Sequence, residues 1–170
     1  RQRTSYGPHS SREVPHYDDR LSARWIWGRG EIANLDDAKV HWDGYDTGVR
    51  YADSYIGKLL DLLESLGILD ETAIIVSADH GENLGELNVW GDHQTADHVT
   101  CRVPLIIRWP GMEFQPRTDQ ALHYNFDWSA TILELLGCPV PQNWDGRSFA
   151  PAFKSGEEAG REFLVVSQGA

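Results

Sequence analysis

Four apolar residues in a row, Ala73-Ile74-Ile75-Val76, lead directly into Ser77-Ala78-Asp79-His80-Gly81. A run without polar alternation suits a strand covered on both faces, as in parallel sheets flanked by helices. A core would reject aspartate, histidine and glycine, so these three belong to the loop beyond the strand's carboxyl end. That is where open parallel sheets gather ligands, because loops there present polar groups without burying them. Gly81 permits a tight turn or a close approach of backbone to a ligand. One carboxylate oxygen beside one imidazole nitrogen offers two donors to a cation, although a complete site takes about six. The spacing equally allows Asp79 to cap the turn and His80 to be simply exposed.

The neighbouring segments fit the same architecture. Val49, Ala52, Ile56, Leu59, Leu60, Leu63 and Leu66 recur at three-and-four spacing up to Gly67, which predicts an amphipathic helix stopped by a left-handed glycine. Leu105-Ile106-Ile107-Arg108-Trp109 reads as a second buried strand closed by Pro110-Gly111. Asp127 is placed to cap a helix carrying Ile132, Leu133, Leu135 and Leu136, and Phe163 to Ser167 is a third candidate strand. Helices alternating with buried strands predict an α/β layered fold with a mainly parallel sheet. Three strands are fewer than the roughly five or six of a mean sheet, so the expected domain is incomplete. Residues 1–40 are polar and irregular and read as a covering segment; residues 41–170 read as a partial α/β domain truncated at both ends.

Composition narrows the partners. With 26 acidic against 15 basic residues the formal net charge is -11, which opposes nucleic acid and anionic membranes. No apolar stretch approaches the roughly 20 residues of a spanning helix, so no membrane role is expected. Cys101 and Cys138 lack Cys-x-x-Cys spacing and are expected as buried thiols.

Four collinear blocks resemble one family. Ile75-Val76-Ser77-Ala78-Asp79-His80-Gly81-Glu82 and Arg102-Val103-Pro104-Leu105-Ile106-Ile107-Arg108-Trp109-Pro110-Gly111 are similar to the second half of the catalytic domain of sulfatases, in the alkaline-phosphatase superfamily. Tyr45-Asp46 through Ala52-Asp53-Ser54-Tyr55-Ile56-Gly57-Lys58-Leu59-Leu60 resembles the preceding helix, and Gly137-Cys138-Pro139-Val140-Pro141 with Asp145-Gly146-Arg147-Ser148 resembles later elements. The resemblance implies a three-layer α/β sandwich and hydrolysis of sulfate esters, with a sulfated small molecule or carbohydrate as substrate. It also implies that Asp79 and His80 are two ligands of Ca2+, and that the protein works in a periplasmic, extracellular or lysosomal compartment. Oligomeric state is not legible.

The family's nucleophile, a formylglycine made within Cys/Ser-x-Pro/Ala-x-Arg, has no counterpart here: Cys101 leads into Arg102-Val103-Pro104 and Cys138 into Pro139-Val140-Pro141. It is expected on upstream chain, and these residues alone are expected to be inactive. Where many sulfatases carry a substrate-contacting lysine, this chain reads Trp90-Gly91-Asp92-His93-Gln94-Thr95-Ala96-Asp97-His98, with no lysine between Lys58 and Lys154. A protonated imidazole can take an ammonium's place as donor, so His93 is the first candidate for that role and His98 the second. Each also fits a histidine that bonds its own loop. Arg20, Arg24, Trp25, Trp27 and Arg29 fit either a sugar-stacking, sulfate-reading rim or the docking of a covering segment. His9, His16, His41 and His123 are expected as surface residues, Glu82 as a turn cap, and Trp90 as either pocket wall or core. Two competing readings remain: a phosphatase, phosphonate hydrolase or mutase of the same superfamily binding Mg2+, Mn2+ or Zn2+, and a pseudoenzyme that only binds.

Overall fold

A computed structural model of the chain describes residues 23–24, 31–32, 34–86, 89–111 and 117–167. Two short strands, β1 (Ala23–Arg24) and β2 (Glu31–Ile32), pair antiparallel, and the long helix α1 (Leu35–Ser65) follows. A 3-10 turn at Leu69–Glu71 leads to β3 (Ile74–Ser77). Next come β4 (Asn83–Leu84), β5 (Trp90–Asp92), α2 (His98–Cys101) and β6 (Leu105–Arg108). The last elements are α3 (Asp127–Leu135) and α4 (Pro151–Lys154). β3 is the neighbour of β6, and β4 pairs antiparallel with β5. The chain forms two compact units, residues 1–72 with 76–105 and 170, and residues 73–75 with 106–169. The basic and aromatic residues Arg20, Trp25, Trp27 and Arg29, with His9 and His16, lie outside the described residues.

In the first unit, α1 begins where the Asn34 side chain accepts the Asp37 amide at 3.0 Å, with Asp36 and Asp37 complementing the positive helix start. It ends as Ile68 N–H reaches Leu63 O at 3.1 Å, with Gly67 in the left-handed region. The core gathers Ile32, Ala38 and Trp90, with Trp42 packed against them and its indole donating to Leu84 O at 2.8 Å. Trp90 is thus core: it is 2% exposed. Gly85 makes room for it, since at φ +118 a Cβ there would lie 2.7 Å from the Trp90 ring. His41 is no surface residue either. It packs edge-on against Trp90 at 5.7 Å, and burial pushes its imidazole down to about 4.

The second unit is tied by Asp127. This residue is the first of α3 rather than its cap, and it is fully buried. Its carboxylate accepts Tyr124 N–H (2.8 Å), Arg147 N–H (2.8 Å) and two bonds from Arg161, from Nε at 2.9 Å and Nη2 at 2.6 Å. Burial alone would raise the carboxyl group, but Arg161 and the two amides outweigh it and hold it below its ordinary value. His123 also departs from expectation, packing on Phe149 with ring centroids 4.2 Å apart and planes tilted by 38°, its side chain 16% exposed.

Three further expectations fail locally. Phe163 to Ser167 forms no strand, because Val165 is held by a side chain: it exchanges bonds with the Tyr124 hydroxyl instead of pairing along a ladder. Cys101 and Cys138 are exposed, each lying at or just after the end of a helix. The predicted burial of the helix stripe and of β6 is not met either, with Leu59 56% and Ile106 65% exposed.

Candidate active site

β3 delivers the turn that the sequence singles out. Ser77 Oγ donates to Pro104 O at 2.9 Å, and Asp79 and His80 stand exposed beyond the strand. Asp79 Oδ1 accepts the His80 amide at 3.0 Å, which holds the turn, while its Oδ2 faces His80 Nε2 at 3.7 Å. His80 Nδ1 lies 2.8 Å from Gly81 O. A carbonyl oxygen can only accept, so Nδ1 carries the hydrogen and Nε2 keeps its lone pair. Metal-ligating histidines are commonly oriented in this way. An oxygen and a nitrogen donor thus face one another, and the pair fits part of a divalent-metal site. Gly81 is required by space: its amide donates to Thr100 O at 2.8 Å, and a Cβ would collide with the Val99 carbonyl.

β4 and β5 build the other half. Asn83 pairs with Asp92, so one residue outward in the antiparallel register Glu82 comes opposite His93. Glu82 Oε2 lies 3.2 Å from His93 Nδ1, and since a carboxylate only accepts, Nδ1 donates. Asp92 Oδ1 accepts the amides of His93 (2.8 Å) and Gln94 (3.0 Å), fixing the backbone where His93 emerges. The His93 ring stacks on His80, centroids 3.8 Å apart and planes 16° from parallel. Donor atoms of His80, Glu82 and His93 all lie within 4.8 Å of one another. Imidazole lone pairs lie in the ring plane, however, so two nearly parallel stacked rings do not aim at one ion. The arrangement is better described as two dyads in contact, Asp79 with His80 and Glu82 with His93.

A polar brace supports both. Asp97 caps α2, its Oδ1 accepting Val99 N–H at 2.8 Å and Thr100 N–H at 3.0 Å, while Oδ2 accepts from the Thr95 hydroxyl and from Asn83 Nδ2 at 3.0 Å. Burial would raise the Asp97 carboxyl group, but bonds from Thr95, Asn83 and the two amides bring it down to about 2. Thr100, positioned by this cap, supplies the carbonyl that holds Gly81. The site therefore brings together His80 and His93 of the sequence candidates. His98 stands exposed as the first residue of α2 and is not part of that cluster. Glu82 is a partner of His93 instead of a turn cap, and the brace of Asn83, Thr95 and Asp97 was missed; an aspartate before Val99-Thr100 was a readable cap signal.

The sulfatase family profile matches residues 4–138. The chain is 33% identical over 126 residues to the "Extracellular sulfatase SULF-1 homolog" of Drosophila melanogaster, covering 71% of this chain and 11% of that protein. Its fold superposes on the solved structure of BT4656 in complex with its substrate D-glucosamine-2-N,6-O-disulfate, with a TM-score of 0.69 and 31% identity, covering 76% of this chain and 26% of that one. It superposes similarly on the phosphonate monoester hydrolase SpPMH from Silicibacter pomeroyi, with a TM-score of 0.68 and 32% identity over 78% of this chain and 25% of that one. The class is therefore an alkaline-phosphatase-like α/β fold, present in part. The chain belongs to the sulfatase family. That family implies a divalent metal. Among the described residues no helix is long and apolar enough to cross a membrane.

Proposed function

We propose that these residues carry one side of the metal site and the proton donor of a sulfuric ester hydrolase acting on sulfated carbohydrate outside the cytoplasm. The observation that supports this reading is the turn after β3, where Asp79 Oδ2 and His80 Nε2 face each other at 3.7 Å. Asp79 and His80 hold the divalent cation, Ca2+ in this reading, together with ligands from polypeptide beyond these 170 residues. When bound, such a cation supplies charge neutralisation for the sulfate oxygens. The nucleophile, a formylglycine, also lies beyond these residues, since no Cys or Ser here sits in the required motif. His93 contributes the proton: imidazolium Nε2–H passes it to the ester oxygen as the bond to sulfur breaks, releasing an alcohol. His98, at the start of α2, is the second candidate for that task. The sugar component rests on BT4656, whose substrate is a sulfated glucosamine, and the compartment on the extracellular relative.

The likeness to SpPMH favours one second reading, a phosphate or phosphonate ester hydrolase. A nitrogen ligand such as His80 also suits Mn2+ or Zn2+ better than Ca2+. The test gives the full-length protein the sulfate and the phosphate ester of the same sugar, with Ca2+, Mn2+ or Zn2+ added back after chelation. Sulfate turnover with Ca2+, lost in Asp79→Ala and His80→Ala, is expected. Phosphate turnover with a transition metal would establish the second reading, and metal-independent inertness toward both would refute each.

A further inference from the structure

We propose that Glu82 is a positioning residue for His93: its carboxylate fixes the ring tautomer and leaves Nε2 as the nitrogen that meets substrate. This deepens the reading above and rests on His93 being the proton donor. Three observations on different elements converge. The β4–β5 register sets Glu82 opposite His93, and the contact is Oε2 to Nδ1 at 3.2 Å. The carboxylate is the more enclosed partner, 24% exposed against 41% for the imidazole, so it serves as the anchor and the ring as the working end. The anchor cannot drift, since Gly81 before it is bonded to Thr100 O and Asn83 after it is wholly buried and bonded to Thr95 and Asp97.

The ring is restrained on a second side. His80 covers one face of it at 3.8 Å, and the Asp92 carboxylate holds its backbone amide. Two ring orientations related by a flip would otherwise be open, and one of them turns Nδ1 outward. A carboxylate at Nδ1 selects the other, because only there does an N–H meet an acceptor. In the proton transfer, Nε2 gives up its hydrogen to the leaving oxygen. The neutral imidazole that remains still has Nδ1–H on Glu82, so atoms and charge balance without a ring rotation.

The experiment compares Glu82→Ala and Glu82→Gln in the full-length protein, using a sulfated sugar, whose alcohol needs a proton to leave, and 4-nitrophenyl sulfate, whose phenolate does not. For Glu82→Ala we expect kcat on the sugar sulfate to fall by about tenfold to a hundredfold with KM little changed, as is usual for lost orienting partners. On 4-nitrophenyl sulfate the loss should be at most about threefold, since protonation matters little there. Glu82→Gln, which keeps an acceptor oxygen, should recover most of the sugar activity. Equal losses on both substrates would reveal a merely structural role and overturn the proposal. Nitrogen-15 NMR of the neutral His93 ring, at a pH where the imidazolium has given up one proton, reads the geometry without turnover: Nδ1–H is expected in the wild type, shifting toward Nε2–H in Glu82→Ala. An Nε2–H tautomer in the wild type would overturn the proposal. The Nδ1–H result in a protein inert toward sulfate esters would uphold the positioning and refute the sulfatase reading alone.

Discussion

Replacing Asp127 by alanine removes the acceptor of four hydrogen bonds at once: two from backbone amides, Tyr124 and Arg147, and two from Arg161. The carboxylate is 1% exposed and the guanidinium 12%, so water cannot readily take its place. Arg161 would keep its bond to Asp145 O at 2.7 Å, which softens the loss. Breaking a buried ion pair from one side costs about 3 to 5 kcal/mol, because the other charge stays behind. At about 2 to 4 °C per kcal/mol for a chain of this size, the melting temperature should fall by roughly 6 to 20 °C. Asp127→Asn keeps the shape but turns an amide donor against two donors, so it should be nearly as harmful. Urea unfolding followed by the fluorescence of Trp128 and Trp144 measures each variant. The double variant Asp127→Ala with Arg161→Met should lose less than the sum of the single ones. A loss under about 1 kcal/mol for Asp127→Ala, or strict additivity in the cycle, would refute the hub. The same pair has a pH signature. A carboxyl group held below its ordinary value stabilises the fold above that value, and the contribution disappears as pH falls through the folded-state one.

Two other outcomes follow from the first unit. His41, lowered from 6.5 to about 4 by burial, contributes stability that is complete above pH 6.5 and is lost as pH falls toward 4. Discounted for partial exposure, this is about 2 kcal/mol, and His41→Phe should flatten the stability profile in that window; an unchanged slope would contradict it. Gly81→Ala pushes a methyl group into the Val99 carbonyl, with its carbon 3.0 Å away, so backbone must yield. We expect a loss of about 1 to 3 kcal/mol and a weakened metal affinity by calorimetry, and retention of wild-type affinity would show that the turn is not shaped by this contact.

How much of this was legible depends on the range of the interaction. The helix signal, its glycine stop and the turn after β3 are local, and local chemistry reads directly from spacing. Asp127 looked like a cap because its position before Ile132 fits one; its true partner is Arg161, 34 residues further on. Glu82 and His93, 11 residues apart, stand out singly but not as a pair, because the strand register that unites them is not written in periodicity. The spacing marks an apolar stripe along α1, yet Val49 and Leu59 within it are exposed. A pattern shows which face must be covered, and the chain spans only between 11% and 26% of the length of these relatives. The sequence leaves Trp90 open because an indole suits a pocket wall as well as a core; its burial and the clearance at Gly85 distinguish them.

The short β4–β5 ribbon binds two unlike duties to one alignment. Trp90 fills the interior and His93, three positions later, stands exposed. Side chains on a strand alternate, so sliding β5 by a single residue would expel the indole and draw polar neighbours inward. A slip of one residue would therefore disturb the Glu82–His93 contact and loosen the interior together.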